Sequence, residues 1–364
     1  MSAKSNDIKP LSFFNVATLY VAALMGAGFA SGREGWQFFG VFGIKGYAGL
    51  AISGCLFMVI GMMVSYIART KNTKDMGRII DFTDSPRVSA FIGYLMAGIL
   101  YTIIISMSAA GGSFLNQQFG LHPAVGGMII VVLVLFTVLG NFERISKVFK
   151  LISPALFGID VLLCIIVMFM DIEQSGATEG FKPSSMAPNW WWAAIIFVAY
   201  NMMGMIPIVG ESSVRARSKA HGIGGAAFGG FLLALLTFLL ITALRQDMAF
   251  TDVMDLPMLA YSAKVSPVAN VAFGAVLFAA IYSAATSTYY GFSTKIKEGP
   301  KKKYILIAGA FIGFLCGLTG FETIVAYWYP LEGYIGIFIL ISITINFFKT
   351  WKGNRREKDG KSVN

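Results

Sequence analysis

The sequence predicts an all-α polytopic membrane protein with about ten transmembrane helices. Of its 364 residues, 56% are hydrophobic and only 13% are charged, and the mean hydropathy is +0.69. Apolar runs of helical length recur along the whole chain, and most basic residues fall in short loops between them. This composition excludes a soluble multidomain protein. The dispersed basic residues indicate membrane topology and exclude a nucleic-acid-binding patch.

Each apolar run is long enough to cross a bilayer, which requires about 20 residues in an α-helix. The predicted spans are 13–39, 47–68, 90–117, 125–140, 148–170, 189–211, 224–244, 268–292, 304–320 and 329–348. The stretch 321–333, which contains Pro330, could form a short extra helix. We therefore expect one transmembrane domain over residues 12–348, between an N-terminal tail at 1–11 and a basic C-terminal tail at 349–364.

The distribution of basic residues predicts the orientation of these spans. With ten spans, 24 of the 29 Lys and Arg residues lie on the side that holds both tails. Cytoplasmic loops retain such residues, so both termini are predicted to be cytoplasmic, in the inner membrane of a bacterium. The first apolar run is too long for the core of a signal peptide and should remain as a span.

An internal repeat relates the two halves, about 12–171 and about 189–348. At an offset of 177 residues, four residues of the first span match identical residues of the sixth: Val21 with Val198, Ala22 with Ala199, Met25 with Met202, and Glu34 with Glu211. Residues that disfavour a regular helix lie between the matched ends: Gly26, Gly28 and Gly32 in one, and Asn201, Gly204, Pro207 and Gly210 in the other. Two five-helix repeats must be inverted relative to each other. The sequence thus predicts a 5+5 inverted repeat with broken first and sixth helices.

A helix broken inside the membrane exposes amides and carbonyls that lipid cannot satisfy, so a polar solute or an ion is expected there. Free amides at the start of a half-helix favour an anionic group such as a substrate carboxylate. We predict these substrate-binding residues: Gly26, Ala27, Gly28, Phe29, Tyr101, Tyr200, Asn201 and Gly204. A dinucleotide site at the same glycines is excluded, because their spacing to Gly32 is wrong and no acidic ribose-binding residue follows.

The segment Gly-Ala-Gly-Phe-Ala-Ser-Gly-Arg-Glu at 26–34 resembles the signature of the YkvI-like bacterial membrane proteins, within the amino acid-polyamine-organocation superfamily. That resemblance covers essentially the whole chain. It implies the LeuT-type fold, with the substrate between the broken first and sixth helices. The sodium symporters of that fold have a small residue and a Thr-Ser pair on the eighth helix, which Ser283, Thr286 and Ser287 match.

Carried over to this sequence, the resemblance implies a Na⁺ site with five oxygen ligands. They are the carbonyls of Ala22, Met25 and Ser283 and the hydroxyls of Thr286 and Ser287. The alternative is that these small residues only allow close helix packing.

Acidic residues inside predicted spans are candidates for gating or coupling, because ionisable groups are unfavourable in the membrane. Glu34 and Glu211 follow the two predicted breaks and are interpreted either as gate anchors or as caps of exposed amides. Asp160 stands alone in the fifth span, where it would carry a proton or pair with another group. Arg33 is interpreted as a pairing or interfacial residue.

Enzymatic chemistry is not predicted. The three cysteines lie far apart within apolar runs and the two histidines flank such runs, so neither a nucleophile with its base nor a metal site beyond Na⁺ is indicated. No cofactor is expected apart from Na⁺ as the coupling ion. The leading hypothesis is Na⁺-coupled symport of an amino acid or a similar small zwitterionic or carboxylate solute by alternating access. The alternatives are H⁺ coupling and a ligand-sensing subunit that does not transport. The expected partners are the solute and membrane lipid, with the choice between monomer and homodimer open.

Overall fold

The computed structural model describes residues 10–140 and 142–358. Over this part of the chain the structure is helical and contains no strand, apart from one isolated parallel bridge between Leu11 and Ala216. The helices of the first half are α1 Phe13–Leu24, α2 Ala27–Ala30, α3 Arg33–Phe38, α4 Ile44–Thr70, α5 Met76–Ile80, α6 Pro86–Phe119, α7 Pro123–Leu139 and α8 Phe142–Met168. Those of the second half are α9 Trp190–Val214, α10 Lys219–Leu244, α11 Met248–Val253, α12 Pro257–Val265, α13 Pro267–Ser293, α14 Lys302–Gly317, α15 Phe321–Thr323 and α16 Tyr329–Lys358.

Each of the ten predicted spans coincides with a helix or a group of short helices. Within the described residues, six helices are long and apolar enough to cross a membrane, and shorter apolar helices lie at Phe13–Leu24, Pro123–Leu139 and Pro154–Met168. The all-helical prediction is confirmed. The count of ten crossings and the inversion of the two halves remain predictions.

The stretch 321–333 does not form a separate helix. A π-helical turn at Ile324–Trp328 joins α15 directly to α16, so Phe321–Arg356 runs as one span of 36 residues. Pro330 lies just after this turn and lacks the amide that would bind a carbonyl one turn back. The Ala326 carbonyl, four residues before it, accepts a hydrogen bond from the Ser184 hydroxyl at 2.5 Å instead.

The predicted break in the first span is present. Helix α1 ends at Met25 (ψ 73°), and the amide of Gly26 donates to the carbonyl of Leu24 at 2.6 Å in place of Ala22, four residues back. A second interruption lies at Gly32, whose φ of +81° separates α2 from α3. A Cβ atom there would also lie 2.8 Å from a methyl carbon of Leu244, so Gly32 satisfies both a backbone and a packing requirement.

The predicted break in the sixth span is wrong. Helix α9 is a continuous α-helix over Trp190–Val214 with Pro207 inside it. Pro207 removes only one amide donor, the one that would bind the carbonyl of Met203, and membrane helices tolerate such a loss. The described glycines with positive φ all lie outside α9, so Gly204 and Gly210 keep helical geometry.

Small residues bring the central helices close together. Cβ atoms on Gly225 and Gly229 of α10 would lie 2.7 and 2.6 Å from the Cβ atoms of Val16 and Tyr20 of α1. On α16, Gly333 and Gly336 contact the backbone of α9 in the same way. Such close approach is typical of membrane helix pairs. The break of the first span lies against α9 and α13, since α1 contacts α9 and α2 contacts α13.

Candidate functional site

A cavity of about 360 Å³ lies beside the break of the first span. Residues of α1, α3, α6, α8, α9, α13 and α16 line it, and most of them are apolar. Its polar lining residues are Glu34, Tyr200, Asn201, Ser283, Ser287, Thr288, Tyr329 and Glu332. This size is at the low end for ligand pockets, which suits a small solute.

The carboxylate of Glu34 lies in this cavity and is held from two sides. The Tyr200 hydroxyl on α9 donates a hydrogen bond to it, and Glu34 is only 6% exposed. On the other side the carboxylate packs against Gly28, where an added Cβ would lie 1.9 Å from its Oε1 atom. Gly28 therefore leaves the space that the Glu34 side chain occupies, which explains a glycine at this position.

Aromatic rings support that arrangement. The Tyr200 ring stacks on the Tyr329 ring with centroids 4.9 Å apart, and on the Phe38 ring at 5.6 Å. Tyr200 and Tyr329 both line the cavity. The stack joins α3, α9 and α16, so it fixes the Tyr200 hydroxyl opposite Glu34.

A second acidic side chain, Glu332 of α16, lines the same cavity. The Thr102 hydroxyl on α6 donates to its Oε1 atom at 2.5 Å. Sequence reasoning missed Glu332, which belongs to no motif, although it lies inside the predicted span 329–348. The signal that would have found it is an ionisable residue inside an otherwise apolar window.

The structure brings part of the predicted substrate set to the cavity. Gly26, Tyr200, Asn201 and Gly204 line it. Ala27, Gly28 and Phe29 are buried behind Gly26, outside the lining. Tyr101 lies elsewhere, since its hydroxyl donates to the carbonyl of Gly309 at 2.9 Å.

The predicted sodium ligands lie around the same break. Ala22, Met25, Ser283 and Ser287 all line the cavity. Thr286, on the same turns of α13, is 0% exposed, and its hydroxyl has no hydrogen-bond partner among the described residues. The shifted hydrogen bond of Gly26 leaves the Ala22 carbonyl without its α-helical donor. The site therefore contains free oxygens of the kind that a hard cation requires.

The three predicted gating or coupling acids differ in environment. Glu34 lines the cavity, whereas the Glu211 side chain is 52% exposed and pairs with Lys74 at 3.7 Å and Arg215 at 3.5 Å. Asp160 on α8 is 0% exposed, and neither of its carboxylate oxygens has a partner among the described residues. Glu34 and Glu211, which match each other in the sequence repeat, thus have different surroundings in the structure.

A cluster that we call the distal latch closes the bundle on the side away from Leu11. It consists of Arg33, Trp36, Asp252, Met254 and Glu322. The Arg33 guanidinium, 2% exposed, pairs with Glu322 at 2.7 Å and donates to the carbonyls of Asp252 and Met254 at 2.7 and 3.2 Å. The Trp36 indole donates to the Asp252 carboxylate at 2.8 Å.

The cavity extends away from the distal latch. Its lining continues from Glu34 along α1 to Leu19 and along α9 to Ile208, toward the side where Leu11 pairs with Ala216. Ile208, near that end, is 40% exposed. The cavity therefore lies between the distal latch and the side of Leu11, and its lining reaches toward the latter.

The fold and the site define a class: an all-helical membrane protein with a central cavity beside a broken first span. The structure resembles the inward-facing conformation of Mhp1, with a TM-score of 0.60 and 14% identity over 98% of this chain and 81% of that one. It also resembles a manganese transporter of Eremococcus coleocola, with a TM-score of 0.51 and 14% identity over 95% and 78% of the two chains. At such identities the likeness shows the fold.

In sequence, the chain is homologous to the membrane protein YkvI of Bacillus subtilis strain 168, with 24% identity over 331 residues, 88% of this chain and 92% of YkvI. It is also 24% identical over 341 residues to YyaD of the same strain, which covers 92% of this chain and 97% of YyaD. No family model matches the chain. The predicted resemblance to YkvI-like membrane proteins is thereby confirmed.

Proposed function

We propose that the chain is a secondary active transporter that carries an amino acid or a similar small zwitterionic solute together with Na⁺ by alternating access. The observation that carries the proposal is the break at Met25 and Gly26, which leaves main-chain groups free beside a cavity of about 360 Å³. Lipid cannot satisfy such groups, so a solute or an ion must.

The proposed Na⁺ ligands are the carbonyls of Ala22, Met25 and Ser283 and the hydroxyls of Thr286 and Ser287. A buried hydroxyl without a partner is unfavourable by about 1–3 kcal/mol, and a bound cation would remove that penalty for Thr286. Five neutral oxygens suit a monovalent hard cation, because an ion with a single charge loses less hydration free energy on binding than a divalent ion does. Ion binding at the break would then couple to solute binding in the adjoining cavity.

In alternating access the distal side would open while the side of Leu11 closes. The distal latch is intact and the cavity extends toward the other side, which supports a state open to the side of Leu11. Opening the distal side requires Arg33 to leave Glu322 and two carbonyls. We propose that both termini are cytoplasmic, on the distribution of 24 of the 29 basic residues, so this state would be inward-facing in a bacterial inner membrane.

H⁺ coupling is the second candidate, and Asp160 favours it. A buried carboxylate without a partner among the described residues is unfavourable as a free charge, so it would hold a proton or face a cation. Replacement of Asp160 by Asn keeps the shape and removes the titration. Loss of uptake driven by a pH gradient in Asp160→Asn would assign the coupling to this residue.

The test is uptake of a panel of labelled amino acids into proteoliposomes, with an inward gradient of NaCl or of choline chloride. We expect that uptake requires Na⁺. We also expect that Thr286→Val lowers the apparent Na⁺ affinity of uptake at least tenfold. Thr237→Val is the matched control, because Thr237 is also buried but its hydroxyl donates within its own helix, to Leu233 at 2.7 Å. Uptake that does not depend on Na⁺ but is driven by a pH gradient would reject Na⁺ coupling. Binding without any uptake would reject transport and favour a ligand-sensing subunit.

A further inference from the structure

We propose that the solute carries a protonated amine, and that Glu34 and Glu332 together bind this amine. The inference rests on the proposed function, because it names the solute group that the same cavity recognises. It also narrows the proposed range of solutes, because small carboxylates that lack an amine should not bind.

The first argument is geometric. Glu34 of α3 and Glu332 of α16 line one cavity from two different helices. Each is oriented by a hydroxyl donor, Tyr200 for Glu34 and Thr102 for Glu332. A carboxylate accepts up to about four hydrogen bonds, so both keep acceptor capacity for an ammonium group with its three donors.

The second argument is charge. Both acids line the cavity, and no described side chain in the lining is basic. Arg33, adjacent to Glu34 in the chain, points into the distal latch and pairs with Glu322 instead. Two acids in a largely apolar cavity attract a cation strongly and repel a carboxylate.

The third argument concerns the rest of the wall. The stacked rings of Tyr200 and Tyr329 lie beside the two acids, and the face of a tyrosine ring attracts an ammonium group. The remaining wall is formed largely by aliphatic side chains such as Leu19, Ile99 and Ile103, which suit a hydrocarbon body. The site therefore fits a small aliphatic amine or amino acid.

A divalent metal ion fits less well. Within the described residues, no group of three or more His, Cys, Asp and Glu side chains is arranged to hold a metal. Two carboxylates and neutral hydroxyls provide few ligands for an ion that prefers about six. Mn²⁺ is nevertheless included in the test, because a manganese transporter shares the fold.

The experiment measures thermal stabilisation of the purified full-length protein by three related probes. They share the 3-methylbutyl group: L-leucine, 3-methylbutylamine, which is leucine without its carboxylate, and 4-methylpentanoate, which is leucine without its amine. All are compared at equal ionic strength, with 1,5-diaminopentane and MnCl₂ as further arms. We expect the amines and L-leucine to raise the melting temperature and 4-methylpentanoate to leave it unchanged. Glu34→Gln and Glu332→Gln should each weaken apparent amine affinity at least tenfold.

Glu298→Gln is the matched control, because it removes one negative charge at a side chain that is 86% exposed and outside the cavity. Both test variants keep the shape and hydrogen bonding of the side chain, so the melting temperature without ligand should stay close to that of the natural protein. If only MnCl₂ stabilises, or if no amine in the panel does, the proposal is overturned. It is also overturned if 4-methylpentanoate stabilises as strongly as the amine, or if the double variant Glu34→Gln/Glu332→Gln binds amines normally.

These results separate the two proposals. Amine binding that depends on both acids, without uptake into proteoliposomes, would support the amine site and reject transport. Na⁺-dependent uptake of 4-methylpentanoate would support transport and reject the amine site.

Discussion

The first and sixth spans match at four residues, yet their structures differ. The first is divided into α1, α2 and α3 by Met25–Gly26 and by Gly32, whereas α9 runs unbroken through Pro207. The two matched acids differ as well. Glu34 is buried at the cavity and bound by Tyr200, while Glu211 is half exposed and pairs with Lys74 and Arg215.

The difference shows which residues break a membrane helix. Pro207 removes a single donor and leaves the backbone angles helical. Gly32 adopts φ +81°, which other residues adopt only with strain, and Gly28 leaves space for the Glu34 side chain. The interruption at Gly32 therefore follows from required backbone geometry, and a helix-disfavouring composition by itself does not produce one.

The largest expected effect is on stability at these glycines. Gly32→Ala should lower the free energy of unfolding by about 2–4 kcal/mol, from strain at positive φ and contact with Leu244. Gly204→Ala in α9 should change it by about 1 kcal/mol or less, because a Cβ there meets open space. Thermal unfolding in detergent, followed by tryptophan fluorescence, measures both. Equal losses would contradict the assigned difference between the spans.

The next effect concerns the pair Gly28 and Glu34. Gly28→Ala should displace the Glu34 carboxylate and weaken binding of 3-methylbutylamine by about 2–3 kcal/mol, about 30- to 150-fold, since a buried charged contact is lost. Gly98→Ala, where a Cβ meets nothing within 4 Å, is the control and should bind as the natural protein does. Equilibrium titration of the two variants decides the matter, and normal binding by Gly28→Ala would contradict the placement of Glu34.

The matched acids give a direct contrast in uptake. Glu34→Gln should reduce uptake at low solute concentration by about one to two orders of magnitude, as expected for a charged contact worth about 1.5–3 kcal/mol. Glu211→Gln should change it less than about threefold, because exposed ion pairs contribute about 0–1 kcal/mol. A similar loss in both variants would favour the symmetric gate that the sequence predicts.

The distal latch should show an intermediate effect. Arg33→Gln removes the guanidinium that donates to the carbonyls of Asp252 and Met254. It should lower the free energy of unfolding by about 1–3 kcal/mol. Glu322→Gln should have less than about 1 kcal/mol effect, since Glu322 is 61% exposed. Urea or thermal unfolding of the two variants tests this order. A larger loss of stability for Glu322→Gln than for Arg33→Gln would contradict the assignment of Arg33 as the residue that holds the distal latch together.

The smallest effect is a dependence on pH outside the spans. Hydrogen bonds from Lys349 at 2.6 Å and Lys71 at 2.8 Å hold the pKa of the Asp84 carboxyl below its usual range. Because the folded-state pKa is lowered, the stabilisation is present above the unfolded value of about 4 and is lost as the pH falls below it. With Asp84 55% exposed, we expect less than about 1 kcal/mol. Melting temperatures of Asp84→Asn and the natural protein should converge on acidification, and a constant difference would contradict the pairing.

The sequence predicted the helical fold well, because the thickness of the bilayer determines the length of apolar runs. It also predicted the break at Gly26. Glu34 was predicted to be a gate anchor or a cap of exposed amides, and the structure places it in the cavity lining. It could not predict the continuous α9, since Asn, Gly and Pro residues occur both in broken and in intact membrane helices. The direction of Tyr101 depends on the rotation of α6, and Glu332 depends on the course of the stretch 321–333. Both are set by packing against distant helices.

Hydrogen–deuterium exchange of the protein in lipid nanodiscs tests the central claim most directly. Peptides that cover 25–30 should exchange their amides quickly in choline chloride and more slowly in NaCl, because the break interrupts the helical hydrogen bonds there until ions and solute bind and stabilise it. Peptides that cover 200–210 in α9 should stay protected in both salts. Equal protection of the two regions, or fast exchange confined to 200–210, would contradict the account.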